Sequence, residues 1–291
     1  MIRKNIYKSF VQLALQAVDN VRPYSNKFSK RKYTQRQHLV LLLFKERLRL
    51  TYRDVVQLTE LMPELLKLLK LRQVPHFTTL QKFFARFSHR LFDRLLRKTL
   101  VFFQAGEILT IDASGFSINR MSSHYEKRCY KHRHYIRSSL AVDAKSQAIV
   151  AERARKSRAH DVKDFAPLVR RAAGYTAVAA DKAYDSEDCH RVAKRCGMRA
   201  IIPVRERGRM RIIGRNRAHT YKNFDEETYH QRSKSETVFS VIKRKFGDEL
   251  NSKNTRMQKR EVRLLSVCYN IYKAAGSVAI PLLQRISTKP L

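Results

Sequence analysis

Apolar residues recur at helical spacing through roughly the first third of the chain, in short blocks set apart by polar ones. Three Thr-x-x-acceptor patterns mark helix starts: Thr34 before Gln37, Thr51 before Asp54, and Thr78 before Gln81. In each, the hydroxyl is placed to cap a free N–H while the residue three later caps back. "LVLLLFKERL" after Thr34 predicts a buried helix, and "YRDVVQLTE" after Thr51 a short amphipathic one. Pro63 suits the first turn of "PELLKLLKL", Pro75 closes it, and "TTLQKFFARFSHR" opens a basic last helix. Over residues 1–104 this reads as an all-α, helix-turn-helix-like DNA-binding domain, or else as an ordinary helical subdomain.

The texture changes near Gly106. "EILTIDASGFS" (107–117), "YIRSSLAVDAKS" (135–146) and "QAIVAERARKS" (147–157) are β-rich and follow one another without a helix. Then come a helical "DVKDFAPLVRRAAG", a buried strand within "YTAVAADKAYDS", a helix "EDCHRVAKRCG" closed by Gly197, and a strand "MRAIIPVR". The order β-β-β-α-β-α-β-α predicts an α/β fold with a mixed five-stranded sheet and flanking helices over residues 105–291. The Arg-dense "RERGRMRIIGRNRAHTYKNF" reads as a flexible basic loop lying on DNA, or as a solvated charge run. Near the C-terminus, Val262, Leu265, Val267 and Ile271 recur at helical spacing and predict a helix packed on the sheet.

Charge narrows the partner. With 61 Lys+Arg against 25 Asp+Glu, the chain carries a formal +36. Self-repulsion on that scale opposes a compact state and asks for an anionic partner. Double-stranded DNA fits, because a binder that neutralises phosphates gains from counterion release; an anionic membrane surface is the rival. No apolar run is long enough to span a membrane, and the start lacks a cleavage site, so neither an anchor nor a signal peptide is expected. The four cysteines form no C-x-x-C pair and read as reduced cytosolic thiols.

Two acids break apolar runs where strands end: Asp112 after "ILTI" and Asp181 after "AVAA". A carboxylate is costly to bury unpaired. Each is either partnered by a cation such as Lys182 or half-exposed at a strand end, where α/β sheets bind ligands. A third acid, Glu236, sits in the cationic stretch "YHQRSKSETVFSVIKRK" (229–245). At about 100° per residue, Tyr229, Arg232, Glu236 and Lys243 share one stripe about 60° wide. Val238, Phe239, Val241, Ile242 and Phe246 cover the opposite side. Glu236 has a bland reading too, an i,i+4 ion pair with Arg232 worth a few tenths of a kcal/mol. Three carboxylates on two strand ends and a helix suit a divalent-metal site. Mg²⁺ (or Mn²⁺) prefers oxygen ligands, and two ions about 4 Å apart clamp an in-line phosphoryl displacement.

The spacing Tyr229-(2)-Arg232-(3)-Glu236-(6)-Lys243 resembles the Y-R-E-K signature of DDE transposases of prokaryotic insertion sequences. "TIDASGFS" resembles that family's first-Asp block and "ADKAYDS" its second. "SRAHD" is similar to the turn before the first helix, and "IIPVR" to the short strand before the basic loop. "LLFKERLRLTYRDVV" and "VPHFTTLQKFFARF" are similar to its DNA-binding segment. The resemblance implies an RNase H-like fold, with Asp112, Asp181 and Glu236 as a triad binding two Mg²⁺ or Mn²⁺ ions. Tyr229, Arg232 and Lys243 would hold transposon-end DNA. It implies cleavage at the element's ends, strand transfer of the 3′-hydroxyl into target DNA, a homodimer or larger assembly on DNA, and a cytoplasmic, nucleoid-associated location. The short interval from Asp181 to Glu236 leaves no room for the large β insertion of some relatives. Two alternatives stay open: a non-catalytic nucleic-acid-binding protein, and an RNase H-like nuclease without strand transfer.

Other residues read as structural. His124, Cys129, His132 and His134 lie close in sequence but lack a usual zinc spacing, and suit a basic hairpin on phosphates. Asp143 reads as a turn residue, Asp161 as a helix N-cap or, with His160, as a neighbour of the site, and Glu226 and Glu227 as solvated or capping.

Overall fold

A computed structural model describes residues 5–118, 135–156, 160–205 and 212–277. The N-terminal third is a layer of short helices whose starts follow the capping chemistry. Asn5 caps α1 (Ile6–Ala17) by accepting from the Tyr7 and Lys8 amides. Thr34 opens α2 (Gln35–Leu48): its hydroxyl accepts the Gln37 N–H at 3.2 Å, and the Gln37 side chain accepts the Thr34 N–H at 2.7 Å. Thr51 and Asp54 open α3 (Tyr52–Glu60) in the same reciprocal way. Pro63 stands in the first turn of α4 (Pro63–Leu68). The third expected box is not formed. α5 (Phe77–Phe84) is capped by the His76 imidazole, which accepts the Thr78 N–H, so Thr78 already lies inside the helix. The basic helix expected to run on stops at Phe84 and resumes as α6 (His89–Thr99). At the break, the Ala85 carbonyl accepts from the guanidinium of Arg260 at 2.7 Å.

β1 (Ile108–Ser117), β2 (Tyr135–Asp143) and β3 (Ile149–Lys156) form an antiparallel meander. β4 (Ala177–Ala180) and β5 (Arg199–Ile201) then add in parallel on the other side of β1, giving the order β3-β2-β1-β4-β5. This is the mixed five-stranded sheet that the element order predicts. Strand alternation gives it two apolar faces. Leu109, Ile111, Val178 and Ala180 face Phe165 and Leu168 of α7 (Val162–Val169) and Cys189 and Ala193 of α8 (Glu187–Arg195). Phe116, Ile136, Leu140 and Val142 face Val238 and Ile242 of α11 (Ser233–Phe246) and the long α12 (Thr255–Ser277). Val262, Leu265, Val267 and Ile271 of α12 are all buried, as their spacing predicts. The same core continues through α12 into α1, α2 and α6.

Part of the expected basic loop is helical: residues 206–211 lie outside the described ones, but α9 (Arg215–Lys222) forms beyond them. Its start is capped from another helix. The Glu187 carboxylate accepts the backbone N–H groups of Asn216 and Arg217, both at 3.1 Å. Gly214, at φ +108°, stands where a Cβ would collide with that carboxylate. Arg217 grips Asp185 with two bonds of 2.7 Å. Periodicity alone could not find this helix, because its cap lies some thirty positions away. No helix among the described residues is long and apolar enough to cross a membrane.

Candidate functional site

Asp112 lies within β1, opposite Leu140 of β2, and Asp181 directly follows β4. The parallel register Ile111↔Ala180 makes them level neighbours. Asp181 stands at the carboxyl end of β4, where α/β sheets bind ligands. Asp112, contrary to the strand-end expectation, lies mid-strand, because its pairing with β2 carries β1 on to Ser117. Alternation puts both on one face of the sheet, since Ile111 and Ala180 point into the opposite core. Ile108, Ala177 and Ala179 share the face of the two acids and pack with Phe224 and Tyr229.

Glu236 is brought over that face by two helices rather than one. α10 (Glu226–His230) is capped by Asp225, which accepts the Thr228 N–H at 2.9 Å. Glu226 and Glu227 are exposed in its first turn and take no part in the cap. The chain breaks at Gln231–Arg232 before α11 begins. Arg232 stays in the right-handed helical region, so the stripe Tyr229–Arg232–Glu236 survives the break. α10 packs on β4 and α11 on β1 and β2. Ser235, Val238, Phe239, Ile242 and Phe246 are buried, and Val241 is half-buried. Arg232 Nη2 reaches Glu236 Oε1 at 2.5 Å, and its guanidinium lies 5.9 Å from the Tyr229 ring centre. Lys243, two turns on, places Nζ 5.8 Å from the Phe116 ring of β1.

The electrostatics join these residues. Burial pushes the Asp112 carboxyl up to about 6. The Ala113 N–H, at 2.9 Å, and Arg232 pull it down, while Asp181 and Glu236 push it further up. Asp181 accepts the Ala183 N–H at 2.6 Å and so opens a 3₁₀ turn over Lys182–Tyr184. Glu236 is half-exposed and engaged by Arg232. As they lie, no three His, Cys, Asp or Glu side chains among the described residues are grouped to hold a metal ion. The donor type suits a hard divalent cation: Asp112 and Asp181 present carboxylates on one face of the sheet, with Glu236 on the helix that packs there.

Beside Asp181 lies a charged pocket of about 280 Å³ lined by Arg137, His160, Asp161, Asp185 and Arg205, among others. Asp161 stands at the N-cap position of α7, as expected, but its side chain makes no capping bond among the described residues. Its carboxylate is taken by guanidinium groups of two neighbouring strands, Arg137 at 2.5 Å and Arg155 at 3.8 Å. Asp164 behind it is fully buried and holds Arg153, Arg155 and the Ser139 hydroxyl. Sequence reasoning missed this network, because Arg137 and Arg155 read only as polar positions of β2 and β3. Cross-strand pairing of these two arginines is what brings them together. Asp143 is a turn residue, as expected, and more. It accepts from the Ser146 amide and hydroxyl, the Gly106 N–H and the Tyr175 hydroxyl. Cys189, Cys196 and Cys268 are free thiols. The His124–His134 stretch lies outside the described residues.

Residues 104–271 match the family model of the transposase DDE domain. The chain belongs to that family. The matched stretch of the DDE domain begins just before β1 and ends within α12, so it holds Asp112, Asp181, Glu236, Tyr229, Arg232 and Lys243. Among solved structures the chain is similar to a piggyBac transposase, determined by cryo-EM as a synaptic complex with hairpin DNA. The TM-score is 0.52 at 11% identity, over 93% of this chain and 72% of that one. At that identity the likeness is one of fold alone. No curated protein matches the chain.

Proposed function

We propose that this transposase cuts DNA at the ends of its own mobile element and joins the freed 3′-hydroxyl to target DNA. Asp112, Asp181 and Glu236 would hold Mg²⁺ or Mn²⁺, two ions in the working complex. The observation that carries the reading is the Asp112–Asp181 register beneath Glu236, on one face of a sheet of a DDE-family chain. When bound, the ions activate the attacking water and offset charge on the leaving oxygen. The protein's own part is positioning. Asp112 is held by strand pairing with Leu140 of β2, one residue past the end of the β1–β4 pairing, and Asp181 by the Ala183 N–H. Arg232, now on Glu236, would turn to a DNA phosphate once that carboxylate is engaged. Lys243 and Tyr229 would border the same strand. Residues 1–104 would supply the helix-turn-helix-like duplex contact and residues 105–291 the chemistry. Joining two ends requires at least a dimer on DNA.

The test uses Asp112→Asn, Asp181→Asn and Glu236→Gln with duplexes carrying the element's ends. Each variant should lose Mg²⁺-dependent cleavage by at least about a thousandfold while still binding the duplex. Normal cleavage by all three would leave the acids structural and the protein a DNA binder. Cleavage by the parent without joined products would leave a nuclease.

A further inference from the structure

The N-terminal helical layer contains a cavity of about 730 Å³ between the segment before α2, the end of α3 and the α5 region. That is the size range of sites that enclose a small organic ligand. Its wall is aromatic and its rim cationic: Tyr24, Tyr33 and Phe83 line it, with Lys30, Lys32 and Arg86 around them. Set into the wall is His38, which is only 6% exposed. Its Nδ1 lies 3.0 Å from the Thr34 carbonyl oxygen, one turn back on its own helix. A carbonyl only accepts, so Nδ1 carries the hydrogen and Nε2 is a bare lone pair. Nε2 is buried with no hydrogen-bond partner among the described residues. Burial lowers the His38 pKa to about 4, so the ring stays neutral at physiological pH and keeps that lone pair. The imidazole is fixed between the Phe83 ring, 4.4 Å away and tilted by 31°, and the edge of Tyr33 at 5.5 Å. An unsatisfied buried acceptor costs about 1–3 kcal/mol, a cost that an incoming N–H donor removes.

We propose that this cavity takes a single unstacked nucleotide of a DNA strand. The base stacks among the aromatic rings and donates an N–H to His38 Nε2, and its phosphate lies on the basic rim. The proposal rests on the DNA reading above and adds a mode of contact to it. Two features favour a strand over a free nucleotide. The cavity adjoins a groove of about 770 Å³ through shared Gln35, Arg86 and Phe87, and Arg22, Arg94 and Arg97 line that groove. Neighbouring phosphates therefore have a track to follow. Rings on the wall also suit any base face, which gives affinity without sequence choice.

The test compares two fluorescein-labelled duplexes by anisotropy, one fully paired and one with a single unpaired nucleotide. The full-length protein should bind the second roughly tenfold more tightly. In His38→Phe, which keeps a ring but has no acceptor, the ratio of the two affinities should fall to near one. Tyr33→Leu carries the same test if the first variant melts early. Equal binding of both duplexes by the parent, or a ratio that survives in both variants, overturns the proposal. Displacement of the unpaired duplex by micromolar dAMP would overturn it in favour of a free-nucleotide site. If the parent binds neither duplex, the DNA reading itself fails; if it binds both equally, only this cavity does.

Discussion

Asp112 has a carboxyl that is harder to charge in the folded chain than in the unfolded one. Burial, with Asp181 and Glu236 nearby, raises it to about 6. The folded state therefore holds the proton more tightly. That extra stability is fully present below the unfolded value, near 4, and is lost as pH rises through about 6. Asp112→Asn should thus be more stable than the parent by roughly 1–3 kcal/mol at pH 7.5 without divalent metal. The gain should vanish below about pH 4. Urea melts at the two pH values check this, and no gain at pH 7.5 would sink the idea. Mg²⁺ should raise the parent's Tm more at pH 7.5 than at pH 5, because metal and proton compete for the same oxygens. At this scale the candidate acids were legible in sequence, since each breaks an apolar run or stands in a cationic helix. Arg137 and Arg155 were not, because a polar residue in a strand carries no sign of the carboxylate that awaits it.

Helices show where local chemistry suffices and where it does not. Thr34 and Thr51 make the reciprocal caps their spacing predicts. Thr34→Ala should cost about 1 kcal/mol, whereas Thr78→Ala should cost clearly less, because His76 and not Thr78 supplies the α5 cap. Chemical melts of the two variants decide it, and equal losses would contradict the observed helix start. The stretch from Tyr229 to Lys243 was read as one helix and is two. Its face assignment still held, because Arg232 keeps helical dihedrals across the break. α9 escaped notice because Glu187 and Asp185, on other elements, stabilise its start.

Across the whole molecule, Asn270 of α12 ties three layers together. It accepts the Ile149 N–H at 2.8 Å and donates to the Ile149 carbonyl and to Thr99, both at 2.9 Å. Its amide thus satisfies the outer edge of β3, the last strand of the sheet, and reaches the end of α6. Asn270→Ala should cost about 2–4 kcal/mol, read as a drop in Tm, because it strands buried donors and acceptors. A loss within the range of a surface substitution would show that water replaces the amide. The +36 charge also acts at this scale. Duplex affinity should fall by roughly 10³–10⁵ between 50 and 200 mM salt if six to ten phosphates are neutralised. A flat titration would argue against DNA as the partner. The sequence by itself determined the order of the five strands, the acids that interrupt apolar runs, the stripe shared by Tyr229, Arg232 and Glu236, and the large positive charge. All of these follow from local periodicity, capping and net charge. Only the tertiary structure decided that β1 and β4 pair in the register that sets Asp112 beside Asp181. It alone decided that the core of α12 runs on into α1, α2 and α6. These depend on contacts between residues far apart in the chain, whose pairing is set by the packing of whole faces and is not encoded at any one position.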